Sequence, residues 1–471
     1  MSVKSLFAAR DMTQGSPWKR IMEFAMPMLV GNLAQQLYNT ADSVIVGRYV
    51  GDNALAAVGS ASPILNLLLA LFIGIATGAG IVISQSFGAR DREGLSENVG
   101  NCISLAGVAT VIIMIIGPVI TMPLLRLLST PESIINWCAD YLKIYFWGIA
   151  GFFFYNMLSG VLRGLGDSLS ALVFLLLAAA LNVVLDIVFV AYFQMGVPGV
   201  SLATVISQAI SAVFCYIKLM RMGDIFDLSW KTLALKKNRA LKILQIGIPS
   251  GITQAIMSMA MMVVQSLTNS MGEMVIACNV IIMRVDGFAM MPNFTFGQTM
   301  SVYAGQNVGA GKFDRVIKGC RQGCVMSQLI AAAITVILLV FGHYLFGIFT
   351  TTPELIALAV RMMRIMAVGY VCMAITQVLG GVMRGAGDTV TPMWITIFTT
   401  IVLRVPVAYI LAHFTANEQW PNGQPEALSI SLLVSWSMGM IISVIAYRIG
   451  KWKKKMYSSA EALGHSLEEL Q

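Results

Sequence analysis

The sequence predicts an all-α polytopic membrane protein of twelve transmembrane helices, arranged as two six-helix lobes related by a pseudo-two-fold axis along the membrane normal. Composition, the segregation of basic residues and an internal repeat predict it. Of 471 residues, 57% are hydrophobic and 11% charged, against about 25% charged in soluble domains. The apolar residues run in blocks that reach the roughly 20 residues a bilayer crossing needs. An ordinary soluble domain is excluded, and 14 prolines and 42 glycines fall short of a fibrous chain.

Apolar blocks bounded by charge or turn residues lie at 19–44, 54–84, 95–125, 134–162, 168–193 and 197–220, and again at 242–268, 275–304, 316–349, 355–382, 389–413 and 427–449. The N-terminal residues carry no signal-peptide pattern, so the first span is expected to act as its own insertion signal. The net charge of +8 reads as topology and not as a nucleic-acid surface, because twenty-four of the 31 Lys and Arg residues fall on one side of the twelve spans. Arg48, Arg126, Arg361 and Arg364 fall on the other side, and Lys143, Arg284 and Arg404 lie within spans. A missed span would invert everything after it. The positive-inside rule therefore places both termini in the cytoplasm of a cell-membrane protein. The seven cysteines mostly sit in apolar segments and read as small buried hydrophobes, with no disulfide framework.

The chain repeats itself. Leu158–Asp167 reads LSGVLRGLGD and Leu379–Asp388 reads LGGVMRGAGD, 221 residues apart. Pro27 pairs with Pro249, Gln85–Ala89 with Gln306–Ala310, and Thr130–Glu132 with Thr352–Glu354, at offsets of 221 or 222. The predicted organisation is an N-lobe over 1–220, a basic cytoplasmic linker over 221–241, a C-lobe over 242–450 and a cytoplasmic tail over 451–471. Two repeats of six spans each are a transporter arrangement, with substrate handled between the lobes.

These features resemble the multidrug and toxic compound extrusion (MATE) transporters. The resemblance covers nearly the whole chain. It rests on twelve spans in two lobes, on Pro27 followed by Asn39-Thr-Ala-Asp42, on Gly88-Ala89-Arg90 and Gly309-Ala310-Gly311, and on an RGxGD motif in each half. It implies secondary active efflux of amphipathic, commonly cationic compounds driven by inward sodium or proton flow. The RGxGD loops read physically as tight turns whose Arg and Asp tie helix ends together, and they lack a P-loop lysine pattern.

Charges at membrane depth are expensive and mark function by default. Asn182 precedes Asp186 by four residues, which places both on one helix face. Asp42 lies six residues before Arg48, Asp186 seven before the span end at Phe193 and Thr204 seven after the span start at Val197, all roughly 10 Å inside the outer boundary at 1.5 Å per residue. Two carboxylates, an amide oxygen and a hydroxyl suit sodium; they suit a proton equally well, because desolvation and mutual repulsion raise the proton affinity of paired acids. The resemblance carries the same four residues, Asp42, Asn182, Asp186 and Thr204, over as its N-lobe cation-coupling motif, which would also be the metal-ligand set under sodium drive. The alternative is that they only hydrogen-bond neighbouring helices.

The second half lacks this set: at an offset of 221, Asn182 falls on Leu403 and Asp186 on Val407. Some relatives carry a glutamate on the seventh span and an aspartate on the tenth; this chain has Gln254, Gln265 and Gln377 there. Asp286 either faces a central cavity and attracts cationic drug or neutralises Arg284 or Arg404. With Tyr38, Gln254 and Met291 it forms the substrate-binding candidates, while most of the 31 methionines read as packing or lipid-facing side chains. Pro27 and Pro249 are hinge candidates: each removes a backbone donor, giving either a moving bend or a static kink.

The expected function is alternating-access export of amphipathic cationic compounds in exchange for Na+ or H+, by a monomer embedded in membrane lipid, with no other cofactor and no nucleic-acid partner. A lipid or lipid-linked precursor flippase of a related two-lobed fold is the second transport reading. An enzyme is not expected: the histidines are His343, His413 and His465, and no HExxH motif occurs.

Overall fold

The computed structural model describes the backbone of residues 9–49, 52–127, 130 and 132–464, and their side chains apart from those of 38–49, 52–60, 62–64, 68, 127 and 133. Among the described residues the ordered elements are all helical. They are α1 (Pro17–Tyr49), α2 (Asp52–Gly88), α3 (Arg92–Leu127), α4 (Glu132–Trp147), α5 (Ile149–Gly164), α6 (Ser168–Tyr192), α7 (Val197–Met220), α8 (Lys237–Ser270), α9 (Glu273–Gly309), α10 (Phe313–Gly347), α11 (Pro353–Gly385), α12 (Val390–Phe414), α13 (Glu426–Ile449) and α14 (Lys451–Glu461). Among the described residues ten of them are long and apolar enough to cross a bilayer, and α4 with α5 passes the same test as a bent pair, an eleventh if the two form one span. The 33-residue α1 coincides with the predicted first span.

The fourth span departs from the single helix predicted over 134–162: it is bent by 54° between α4 and α5. The break falls at Gly148, where a Cβ would collide with the side chain of Val205 on α7. Three residues on, Gly151 comes so close to α7 that a Cβ would sit 2.6 Å from the Ala209 nitrogen. Glycine lets the backbones approach, and the bend keeps both halves against α7.

Two spans carry π-helical segments that the periodicity does not reveal, Ile187–Tyr192 in α6 and Phe398–Arg404 in α12. The second runs into Pro406, whose missing N–H removes one ordinary helical hydrogen bond.

The chain folds into two compact units. The first holds Met26–Gly251 with the chain up to Asp11, and the second holds Met12–Ala25 with the chain from Ile252 onward. The divisions therefore fall inside α1 and α8, close to Pro27 and Pro249, and not in the basic connection at 221–241. That connection is pinned to the first unit. Arg92 donates to both carboxylate oxygens of Asp227 (3.0 and 2.9 Å) and to the carbonyls of Gly223 and Asp224. This hydrogen bond holds the Asp227 carboxyl below its usual range. The Lys236 amide donates to Asn101, and Glu97 pairs with both Lys236 and Arg239.

Each unit repeats the same internal contacts. In the first, a Cβ on Gly160 would lie 2.7 Å from the Ala76 carbonyl, and one on Gly164 would lie 2.6 Å from the Gly80 carbonyl. In the second, Gly381 sits as tightly on the Gly297 carbonyl and Gly385 on the Ser301 carbonyl. All four pairs map onto each other at 221. Small residues four apart allow this approach, on which membrane helix packing depends without a hydrophobic drive between helices.

The RGxGD loops repeat as well. Gly166 and Gly387 take left-handed conformations (φ +84° and +92°). The aspartates that follow cap the next helix: Asp167 accepts from Ser170 N and Oγ (2.9 and 2.6 Å), and Asp388 from Thr391 N and Oγ1 (3.1 and 2.7 Å). Lys218 of α7 approaches Asp167 to 3.7 Å, tying two helix ends together. Burial pushes the Asp167 carboxyl above its ordinary range, opposed by Ser170 and Lys218. Alanine at either aspartate is expected to cost about 1 kcal/mol for the lost cap, with the larger loss at Asp167, which also leaves Lys218 without its carboxylate. Thermal unfolding of the purified variants measures both; an Asp167→Ala protein as stable as wild type contradicts the capping role.

Candidate coupling site and its relatives

The site in the first unit is built at the end of the regular part of α6. Asn182 and Asp186 are four residues apart on the face turned inward, 1% and 0% exposed, and helical winding changes immediately after Asp186. From α7, Thr204 meets them. With the amide oriented by its hydrogen bonds, Asn182 Nδ2 donates to Asp186 Oδ2 at 2.8 Å, and Oδ1 accepts from Thr204 N at 3.1 Å. Thr204 Oγ1 lies 3.3 Å from the amide and donates to the Val200 carbonyl at 3.1 Å. Three of the four predicted coupling residues are thus in one hydrogen-bonded cluster. The side chain of Asp42, like that of Tyr38, lies outside the described residues.

The donor chemistry is all oxygen: one carboxylate, one amide oxygen and one hydroxyl. Among the described residues no group of three or more His, Cys, Asp or Glu is placed to hold a metal ion. The cluster therefore depends on the neutral oxygens beside Asp186 for any cation it takes.

The second unit gathers a different polar group. Tyr370 of α11 is fully buried, and its hydroxyl donates to Asp286 Oδ1 of α9 at 2.9 Å. Arg404, at the end of the π-helical segment of α12, acts on Asp286 electrostatically, and its buried Nε has no hydrogen-bond partner. Of the two arginines considered for Asp286, the structure brings Arg404 near and leaves Arg284 exposed. Tyr370 has no counterpart in the first repeat, where Ile149 stands 221 residues earlier, so the repeat gives no signal for it. Gln254 is exposed and Met291 half-buried; no hydrogen bond joins either to Asp286. Pro27 and Pro249 lie within uninterrupted helices.

The MatE family model matches the chain twice, over residues 27–188 and 249–410. The chain belongs to the MatE family. The MatE matches begin at Pro27 and Pro249, and together they reproduce the repeat. The chain is 30% identical over 450 residues to the "Probable multidrug resistance protein YoeA" of Bacillus subtilis (strain 168), covering 93% of this chain and 95% of that protein. It is 31% identical over 445 residues to the "Probable multidrug resistance protein YpnP" of the same organism, covering 94% and 98%. A solved structure described as "Crystal structure of MATE in complex with MaL6" superposes with a TM-score of 0.87 at 25% identity, covering 96% of this chain and all of that one. The protein is thus a multi-pass membrane protein of a multidrug efflux transporter family.

Proposed function

We propose that this protein exports amphipathic cationic compounds by alternating access, in exchange for an inward ion taken up at Asp186 with Asn182, Thr204 and Asp42. The observation that carries the reading is the Asn182–Asp186–Thr204 cluster, which holds a fully buried carboxylate at membrane depth beside an amide and a hydroxyl. Such a charge is costly, and differential affinity of this site for the ion in two conformations supplies the coupling. A proton can occupy Asp186 without moving Asn182. Sodium requires the amide oxygen to face the carboxylate, whereas the orientation assigned from the hydrogen bonds turns the nitrogen there.

Asp286 serves as the cation-attracting group of the substrate path, held by Tyr370 and balanced by Arg404. Asp286→Asn is expected to weaken efflux of a cationic dye by about tenfold, the order of one charged hydrogen-bonded contact, while sparing a neutral substrate. Equal losses for both remove Asp286 from substrate selection. The reading as a whole is tested by expressing the protein in efflux-deficient bacteria: the tolerated concentration of ethidium rises with wild type and does not rise with Asp186→Asn. Equal tolerance with and without wild type overturns it for this substrate class.

A further inference from the structure

We infer that α14 is a docking surface for anionic lipid headgroups. The helix follows the last span directly. Ile449 ends α13, Gly450 turns the chain in a left-handed conformation (φ +77°), and Lys451 begins α14. One face is buried in the second unit at positions four apart: Trp452, Met456 and Ala460 are each 1% exposed or less. Trp452 stacks on Tyr447 and donates to its carbonyl, the Tyr457 ring packs edge-on against Phe313, and Ser459 donates to the carbonyl of Ala386.

Phe313 and Ala386 mark the ends of α10 and α11, so α14 is laid across span ends instead of projecting away from them. Its apolar face is used up by the protein and is not available for insertion into lipid. The remaining faces carry Lys451, Lys453, Lys454 and Lys455, all exposed and without a carboxylate partner within salt-bridge distance among the described residues. The only acid in the helix is Glu461, two turns on. The four ammonium groups are spread over about 6 Å of helix, within the roughly 8 Å Debye length at physiological ionic strength of the span end that precedes them. Clustered lysines beside a membrane helix attract anionic headgroups, each by about 1 kcal/mol. Pinning α14 to the protein removes the ordering cost a free tail would meet on binding.

The test uses the full chain in neutral detergent, titrated with fluorescent short-chain phosphatidylglycerol or phosphatidylcholine. Wild type is expected to bind the anionic lipid at least about tenfold tighter than the zwitterionic one. The K451Q/K453Q/K454Q/K455Q variant should lose about fivefold or more of that preference, the equivalent of one lysine contact. The corresponding four Lys→Arg changes should retain it. The lysines are exposed, so the variants keep the buried face; a K453Q/K454Q pair gives a milder second variant with a partial loss. No preference in wild type, or a full preference in both Gln variants, overturns the proposal.

Discussion

Asp186→Asn is expected to abolish ion-driven efflux, by at least about a hundredfold, while leaving the protein folded and able to bind drug. The side chain is fully buried, and its neighbour Asn182 donates to Oδ2 at 2.8 Å. Asparagine fills the same volume, so no cavity opens, and it can still accept a hydrogen bond through its own Oδ1. What it cannot do is change charge with a proton or neutralise a cation, and a site with equal affinity in both conformations shifts nothing. Asn182→Ala and Thr204→Ala act less severely, because each removes a neutral oxygen and leaves the carboxylate. Ion-gradient-driven transport in reconstituted vesicles separates the three. An Asp186→Asn protein transporting at the wild-type rate removes that carboxylate from the mechanism.

Leucine at Gly160 or Gly381 is expected to prevent folding in each case. The two glycines occupy equivalent positions of the repeat, against the carbonyls of Ala76 and Gly297. These obstacles are backbone atoms in the middle of packed helices and cannot swing aside as a flexible side chain can. Overpacking a well-filled core costs about 1–3 kcal/mol, and more where backbone must shift; against a total stability of about 5–15 kcal/mol, a forced separation of two spans removes much of the margin. Size-exclusion chromatography of the purified variants should show aggregated protein for both. A monodisperse, thermally stable Gly381→Leu protein refutes the contact. Leucine at Gly223 or Gly342, where a Cβ meets nothing within 4 Å, is the matched control and should be tolerated.

The architecture was legible because the bilayer constrains it: a span must be long, apolar and internally hydrogen-bonded, and every predicted block except 134–162, which is broken into α4 and α5, falls on one continuous helical stretch. The repeat was legible for a related reason. Residues that touch backbone to backbone tolerate few replacements, so Gly160, Gly164, Gly381 and Gly385 keep their places in both halves. The grouping of Asn182, Asp186 and Thr204 was legible from spacing and depth, since four residues of helix put Asn182 and Asp186 on one face and depth brought in Thr204.

Other features left no such mark. Periodicity does not distinguish α from π winding over six or seven residues, so the segments beside Asp186 and Arg404 went unseen. Gly148 looked like any glycine in an apolar span; only the approach of Val205 makes it a bend. Tyr370 is one aromatic among many, and its hydrogen bond to Asp286 joins residues 84 apart. The predicted linker reads as a boundary by composition, yet Arg92, Glu97 and Asn101 bind it to the first unit.

The most direct test is ethidium efflux from proteoliposomes containing wild type or Asp186→Asn, under separately imposed sodium and proton gradients. Export by wild type under one gradient and none by the variant is the predicted result, and the effective gradient names the ion. Export by both proteins at equal rates, or by wild type independently of either gradient, contradicts coupling through Asp186.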